Sequence, residues 1–444
     1  MRQRVLDHPT RLVPLAFLAA MAVGTLLLML PIARVEAVSA PFLVALFTAT
    51  SAVCVTGLVV VDTQTYWSVF GQGVILFLIQ IGGLGLMTLA TLLGLVMSRS
   101  LRLTQRLRAQ AETKSLNLGD VKSVLLTVVG LTLVCELVVG MILATRLWLG
   151  YGFDVGPALW HGLFHAISAF NNAGFSTWST GLIGYQSDGL FLIPIMVAVV
   201  LGGIGFPVFN ELRKEWREPR GWSVHAKITV YGSLALLILG WVAFAITEWT
   251  NPKTFGPMAW DVKLLNAAAH SVWVRTAGFN AVDVGQMRSE TLLLSDLFML
   301  IGGGSAGTAG GIKVTTFFLL GFVVWAELRG QSDVTVSRRR ICPTVVRQAL
   351  AVVLLAVGVI GLATLALLAM TTFSLDKVLF EAVSAFATVG LSTGITAALP
   401  PAGQAILIAL MFIGRVGTIT VGAALALRPH HAPFRYPEER PIVG

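Results

Sequence analysis

Charged side chains are scarce in this sequence. Asp, Glu, Lys and Arg make up 12% of its 444 residues, about half the ~25% carried by soluble domains. A chain this poor in charge cannot clothe a globular surface in solvated groups, which excludes an ordinary water-soluble domain. Cysteine is rarer still. Cys54, Cys135 and Cys342 are the only three, and none stands at ligand spacing from another, so neither a disulfide framework nor a zinc site is expected. Carboxylates are few and isolated, and the sequence contains neither HExxH nor GxSxG. Without a convergent nucleophile, metal or acid–base set, the chain reads as a non-enzyme.

Hydrophobic residues take up the room: 56% of the chain, with a mean hydropathy of +0.82. Apolar stretches long enough to span a bilayer recur from residue 12 to residue 427, the pattern of an integral membrane protein. The first, residues 12–32, follows Arg2, Arg4 and Arg11. It exceeds the 7–15 residues of a signal-peptide core and reads as an uncleaved first span. Most of the 31 Lys and Arg residues lie at the N-terminus, in 99–122, 213–227 and 329–347, and in the tail. Basic loops between apolar segments follow the positive-inside rule, which places both termini and three loops in the cytoplasm. That distribution accounts for the net charge of +9 without a nucleic-acid partner.

Between basic loops the same features return: a long apolar segment, a shorter half-polar stretch ending near a glycine, then a second long apolar segment. "FHAISAFNNAGFST" from Phe164 and "FEAVSAFATVGLST" from Phe380 share Phe, Ala, Ser, Ala and Phe upstream of Gly174 and Gly390. "FTATSAVCVTGL" from Phe47 keeps Phe47 and Ser51 at the same distances from Gly57. "AAAHSVWVRTAGFN" is the divergent copy, with Ser271 displaced by one and no matching Phe, but it still arrives at Gly278. A second mark follows each: "IGGLG" at Ile81, "LGGIG" at Leu201, "IGGGS" at Ile301 and "IGRVG" at Ile413. Four repeats of helix, re-entrant pore loop and helix give an all-α membrane fold of eight transmembrane helices and four pore helices around one ion pathway. The units fall at 10–98, at 99–212 and 213–328 with a basic loop leading each, and at 329–428, followed by a tail at 429–444.

Irregular backbone at membrane depth is tolerated only inside protein or beside a wet cavity. Four equivalent glycine loops meeting on one axis can aim backbone carbonyls at a dehydrated cation. The expected ion-binding filter is Val55, Thr56 and Gly57; Asn172, Ala173 and Gly174; Thr276, Ala277 and Gly278; and Thr388, Val389 and Gly390. The last tripeptide matches the start of the TVGYG filter of potassium channels. Pore helices that end at these loops would turn their negative poles towards the cation.

V-T-G-L, N-N-A-G-F-S, R-T-A-G-F-N and T-V-G-L-S-T-G together resemble the membrane subunits of the Ktr/Trk/HKT superfamily of potassium transporters, and most of all the KtrB-like ones. The resemblance covers essentially the whole chain. It implies K⁺ uptake, with Na⁺-dependent or Na⁺/K⁺ symport as the alternative, and no organic cofactor. It also implies a homodimer in the bacterial cytoplasmic membrane, gated by a cytoplasmic ring of KtrA-like nucleotide-binding subunits. The tail "EERPIVG" is similar to the segment that contributes dimer contacts in that family.

One stretch matches a nucleotide fingerprint by letter. In "IGGGSAGTAGGIKVTT" Gly302, Gly304 and Gly307 satisfy G-x-G-x-x-G, but the run interrupts an apolar span and follows no strand, so the fingerprint lacks its context. Each glycine costs a helix about 1 kcal/mol. Gly302, Gly303, Gly304, Ser305, Ala306, Gly307, Thr308, Ala309, Gly310 and Gly311 should therefore split the span with a flexible linker. The family resemblance makes that linker the gate. Arg415 stands where the other repeats have Gly83, Gly203 and Gly303. A charge inside a span is a functional candidate, here a donor to the loop's carbonyls, with pairing to Asp296 or Glu136 as the alternative; Lys313 is a weaker candidate for the same part. His161 and His165 are expected to make ordinary polar contacts, and Asp376 and Glu381 to draw cations to the mouth or to favour a helix N-terminus. Trp67, Trp148, Trp160, Trp249 and Trp260 are expected in interfacial belts.

Overall fold

The computed structural model describes residues 9–85 and 118–417. The expected dimer-contact tail and most of the basic stretch 99–122 lie outside the described residues. The helices are α1 (Pro9–Leu28), α2 (Phe42–Val53) and α3 (Val69–Gly85), then α4 (Leu118–Tyr151), α5 (Val155–Phe170), α6 (Gly189–Ile204) and α7 (Phe206–Glu215). After them come α8 (Val224–Glu248), α9 (Trp260–Trp273), α10 (Ser289–Leu300) and α11 (Val314–Leu328). The last are α12 (Pro343–Met370), α13 (Leu375–Phe386) and α14 (Pro401–Phe412).

Length separates two classes. At about 1.5 Å per residue, α8 and α12, with 25 and 28 residues, exceed the ~30 Å apolar core of a bilayer. Among the described residues α4, α8 and α12 are long and apolar enough to cross, and the bent pair α6 and α7 makes a fourth candidate. By contrast α2, α9 and α13 have 12, 14 and 12 residues, too few to cross alone. Each of these short helices, like α5, packs against the long helix before it. Their inward faces carry small residues, such as Ala45, Ala49 and Ala52 in α2 and Ala158, Ala166 and Ala169 in α5, all essentially inaccessible. Small side chains let helices approach closely where lipid supplies no hydrophobic drive.

Further contacts arrange the helices in a ring. Helix α6 packs on α9, α10 on α13, and α14 returns to α2. The short helices thus face one another with their C-terminal ends gathered inside. Phe47, Phe164 and Phe380 are all fully buried at the same distance before their glycines. They anchor three of the short helices, and Trp273 fills the core beside the fourth.

The second sequence mark breaks more than one helix. Only the third mark runs on into further glycines, yet α6 and α7 bend by 99° at Gly205, whose φ is +96°, and Pro207 sits in the first turn of the new helix, where no N–H partner is needed. In the fourth copy Ile413–Gly417 forms a π turn carrying Arg415. The third is a full interruption between α10 and α11. Trp67 departs from its expected interfacial place: it is buried, whereas Trp148 and Trp260 are exposed. Between α11 and α12 the basic loop forms a hairpin of β1 (Thr335–Val336) and β2 (Arg339–Arg340). Ser337 and Arg338 at its tip both take positive φ, the signature of a type I′ turn.

Candidate ion pathway

Each short helix delivers its chain end to one of the four tripeptides. The first residue of each has a left-handed φ: +55° at Val55, +58° at Asn172, +67° at Thr276 and +50° at Thr388. The glycines follow at +94°, +68°, +70° and +96°, while the middle residues stay at negative φ. For Val and Thr this conformation is an outlier, so something outside the tripeptide must hold it. Backbone bonds supply the hold: the amides of Thr56, Ala173 and Val389 donate to Ser51 O, Ser168 O and Ser384 O at 2.7–2.8 Å. The same serines act again. Ser51 Oγ accepts from Gly57 N at 3.0 Å and Ser384 Oγ from Gly390 N at 3.1 Å, while Ser168 Oγ donates to Phe175 O at 2.8 Å. Ser271, displaced by one in sequence, instead donates to Leu237 O in α8.

The glycines close a circle. A Cβ on Gly57 would strike the carbonyl oxygen of Ala173, one on Gly278 that of Val389, and one on Gly390 that of Thr56. At Gly174 it would lie 2.8 Å from Ala277 O. Each glycine therefore faces the middle carbonyl of the following loop, and the fourth faces the first. No other residue fits: both the positive φ and the neighbouring oxygen exclude a side chain. Three hydroxyls at this level, Thr56, Thr276 and Thr388 Oγ1, are buried without a hydrogen-bond partner among the described residues. On one side the four glycines line a shared cavity of about 320 Å³ together with Asp62 and Asp283.

On the other side lies the interruption between α10 and α11. The link is less free than its glycine content predicts. Gly304 N and Thr308 N donate to Gly203 O and Gly202 O at 2.8 and 3.1 Å, and Gly302 N to Ile312 O at 2.8 Å. Thr308 Oγ1 reaches Asn172 Oδ1 at 3.1 Å, and a Cβ on Gly310 would meet the Thr388 side chain. The segment therefore abuts the tripeptides. Lys313 Nζ donates to Ala309 O at 2.6 Å, and the buried Arg415 donates from Nη1 to Thr308 O. Neither suggested acidic partner is bonded to Arg415. Glu136 accepts from Gln80 and from Asn171 at 3.2 and 2.9 Å, and Asp296 Oδ1 has no hydrogen-bond partner.

Comparison with known proteins now bears on the chain. A family model described as a cation transport protein, TrkH, matches residues 6–218 and 224–435. The chain belongs to the TrkH cation transport family. The Ktr system potassium uptake protein B of Bacillus subtilis (strain 168) is 39% identical to it, with 98% of this chain and 97% of that one covered. The protein of the same name from Vibrio alginolyticus is 36% identical over 100% and 96%, and the potassium/sodium uptake protein NtpJ of Enterococcus hirae 32% over 100% and 99%. The crystal structure of the potassium transporter TrkH from Vibrio parahaemolyticus superposes with a TM-score of 0.71 at 17% identity, covering 94% of this chain and 84% of that one; it shares the fold. The apolar helices and the family together make this an integral membrane protein.

Within this TrkH-family chain some side chains depart from the sequence expectation, and others, the two histidines among them, follow it. Glu381 is fully buried behind the fourth tripeptide, accepting from Ser392 and Thr396 at 2.6 and 2.7 Å and from Thr393 N at 2.9 Å. It braces the chain rather than the mouth, whereas Asp376 lies in the first turn of α13, as the helix N-terminus alternative expects, and accepts from Ser289. His165 stands at the matching place in the second unit, one residue after the anchoring Phe, and bonds Ser176 at 3.0 Å; His161 bonds Thr177. The carboxylates lining the cavity are Asp62 and Asp283, which no periodicity marks. Arg275 was equally hidden within R-T-A-G: its Nη2 donates to Gly302 O at 3.2 Å. A buried charge next to a loop glycine was the available signal.

Proposed function

We propose that this chain is a potassium-uptake pore, with the four tripeptides as its selectivity filter and residues 302–313 with Arg415 as its gate. The closed ring of glycines against carbonyl oxygens supports this most directly. Four carbonyls at one level offer oxygen ligands in place of a cation's water shell, and the missing side chains leave the axis clear. Short helices ending at the ring add their negative poles. The named potassium-uptake relatives, matched over nearly their full lengths, point to the same ion. An inside-negative potential contributes about 2.3 kcal/mol per charge per 100 mV, so K⁺ entry needs no chemistry on the protein.

In this reading the units at 10–98, 99–212, 213–328 and 329–428 are four repeats that contribute eight spans, the short helices re-enter from outside, and both termini are cytoplasmic. The subunit works as a homodimer in the bacterial cytoplasmic membrane, through its 429–444 tail, under a KtrA-like nucleotide-binding ring. A pore that passes or requires Na⁺ is the second reading, favoured by the potassium/sodium name of the Enterococcus relative. Uptake of radiolabelled Rb⁺ into proteoliposomes, competed by K⁺ or Na⁺, separates the two. The comparison covers wild type and Gly→Ser at 57, 174, 278 and 390. Loss of discrimination in the variants is expected; four variants that all discriminate like wild type would refute the filter.

A further inference from the structure

Arg275 is a buried cation that belongs to none of the ion pairs among the described residues. Its acceptors are neutral and come from two directions. Nη1 donates to Ser233 O at 3.1 Å, and Nη2 to Ser233 Oγ at 3.1 Å and to Gly302 O at 3.2 Å. Ser233 lies on α8 and Gly302 opens the interruption after α10, while Arg275 itself directly precedes the left-handed Thr276. One guanidinium therefore joins the third tripeptide, a long helix and the first residue of the loop. Its Nε lacks a hydrogen-bond partner among the described residues, and Arg275, Ser233, Asn172 and Gly303 line a cavity of about 20 Å³, room for one water.

We propose that Arg275 is a positioning residue that ties the gating segment to the third tripeptide, and that Gly302 O must leave this guanidinium before the segment can clear the pathway. The inference rests on the filter-and-gate reading above. Arg415 holds the middle of the segment through Thr308 and Lys313 bonds back to Ala309, but among the described residues only Arg275 grips its entrance from the tripeptide side. Arginine suits the place because a planar fork reaches several acceptors at once; an ammonium is a single point.

The full chain in proteoliposomes, without any regulatory subunit, tests the tie. Basal Rb⁺ flux is measured for wild type, Arg275→Lys, Arg275→Gln, Ser233→Ala and Arg275→Gln/Ser233→Ala. In parallel, the labelling rate of Ser305→Cys by a charged thiol reagent is followed, with the three native cysteines replaced by alanine. Loss of a charge-assisted bond shifts a two-state balance by roughly tenfold. Arg275→Gln should raise both flux and labelling by about that factor, Arg275→Lys by less, and Ser233→Ala modestly, with nothing added in the double variant. Rb⁺ over Na⁺ preference should hold. Wild-type flux and labelling in Arg275→Gln, with or without lost preference, would overturn the tie and leave Arg275 a support for Thr276. A variant lacking residues 306–310 separates the two claims: wild-type flux there removes the gate itself, whereas raised flux there beside unchanged Arg275 variants removes only the tie.

Discussion

Arg415 donates a hydrogen bond to the backbone oxygen of Thr308, 107 residues earlier in the chain. The acceptor sits in the middle of the glycine-rich interruption, and the donor in a π turn at the corresponding place of the last unit. Two of the arginine's nitrogens, Nε and Nη2, have no hydrogen-bond partner among the described residues. On the proposed gate, a desolvated cation here would repel permeant cations and restrain the segment at once. Arg415→Ala is therefore expected to raise basal Rb⁺ flux severalfold in proteoliposomes. Unchanged flux at equal protein content would remove its gating role.

The serines make a sharper test, because two of them hold a tripeptide glycine and the displaced one does not. Ser51 and Ser384 hold the amides of Gly57 and Gly390, while Ser271 bonds α8. Ser51→Ala and Ser384→Ala each leave a buried N–H without its acceptor, at about 1–3 kcal/mol, and should weaken Rb⁺ over Na⁺ preference. Ser271→Ala should leave it intact. Equal effects in all three would show that the side-chain bonds do not set the tripeptide geometry.

Gly205 tests the bend. Its φ of +96° lies where a side chain costs of order 1–3 kcal/mol, and a Cβ would also meet the Ser305 oxygen. Gly205→Ala should lower the midpoint of thermal unfolding in detergent and alter basal flux, since the bend packs on the interruption. Gly358→Ala, in open space within α12, is the control and should not lower the midpoint.

If the ring binds K⁺, it does so only in the folded chain, and ligand binding to the native state alone raises stability by about 2.7 kcal/mol at a hundredfold excess over Kd. Replacing K⁺ by choline in detergent should lower the unfolding midpoint, with K⁺ restoring it at lower concentration than Na⁺. Gly174→Ser should abolish the dependence. A wild-type midpoint indifferent to K⁺ would count against an ion site at the tripeptides.

The glycines of the ring were legible in the sequence because a positive φ beside a neighbour's carbonyl leaves only one residue type, and its spacing recurs. The left-handed turn at Val55, Thr276 and Thr388 was not, since β-branched residues avoid it and it is held by backbone bonds to the short helix, which carry no residue signature. Buried charge was readable as such at Arg415 and Glu136. Their partners were not: Thr308 O is a backbone acceptor with no residue signature, and Asn171 and Gln80 come from different helices. The break at Gly205 was masked because one glycine followed by Pro207 can bend a helix as well as six glycines can interrupt one.

The ring also dictates an order of assembly. Gly390 closes the circle against Thr56, more than three hundred residues upstream. During membrane insertion the first three tripeptides make an open arc with a quarter of its wall missing. The circle of carbonyls is complete only when the final unit docks beside the first, so on the proposed reading no conduction precedes the last unit. On that reading a chain cut short ahead of α13 would hold three of the four tripeptides and no closed ion site.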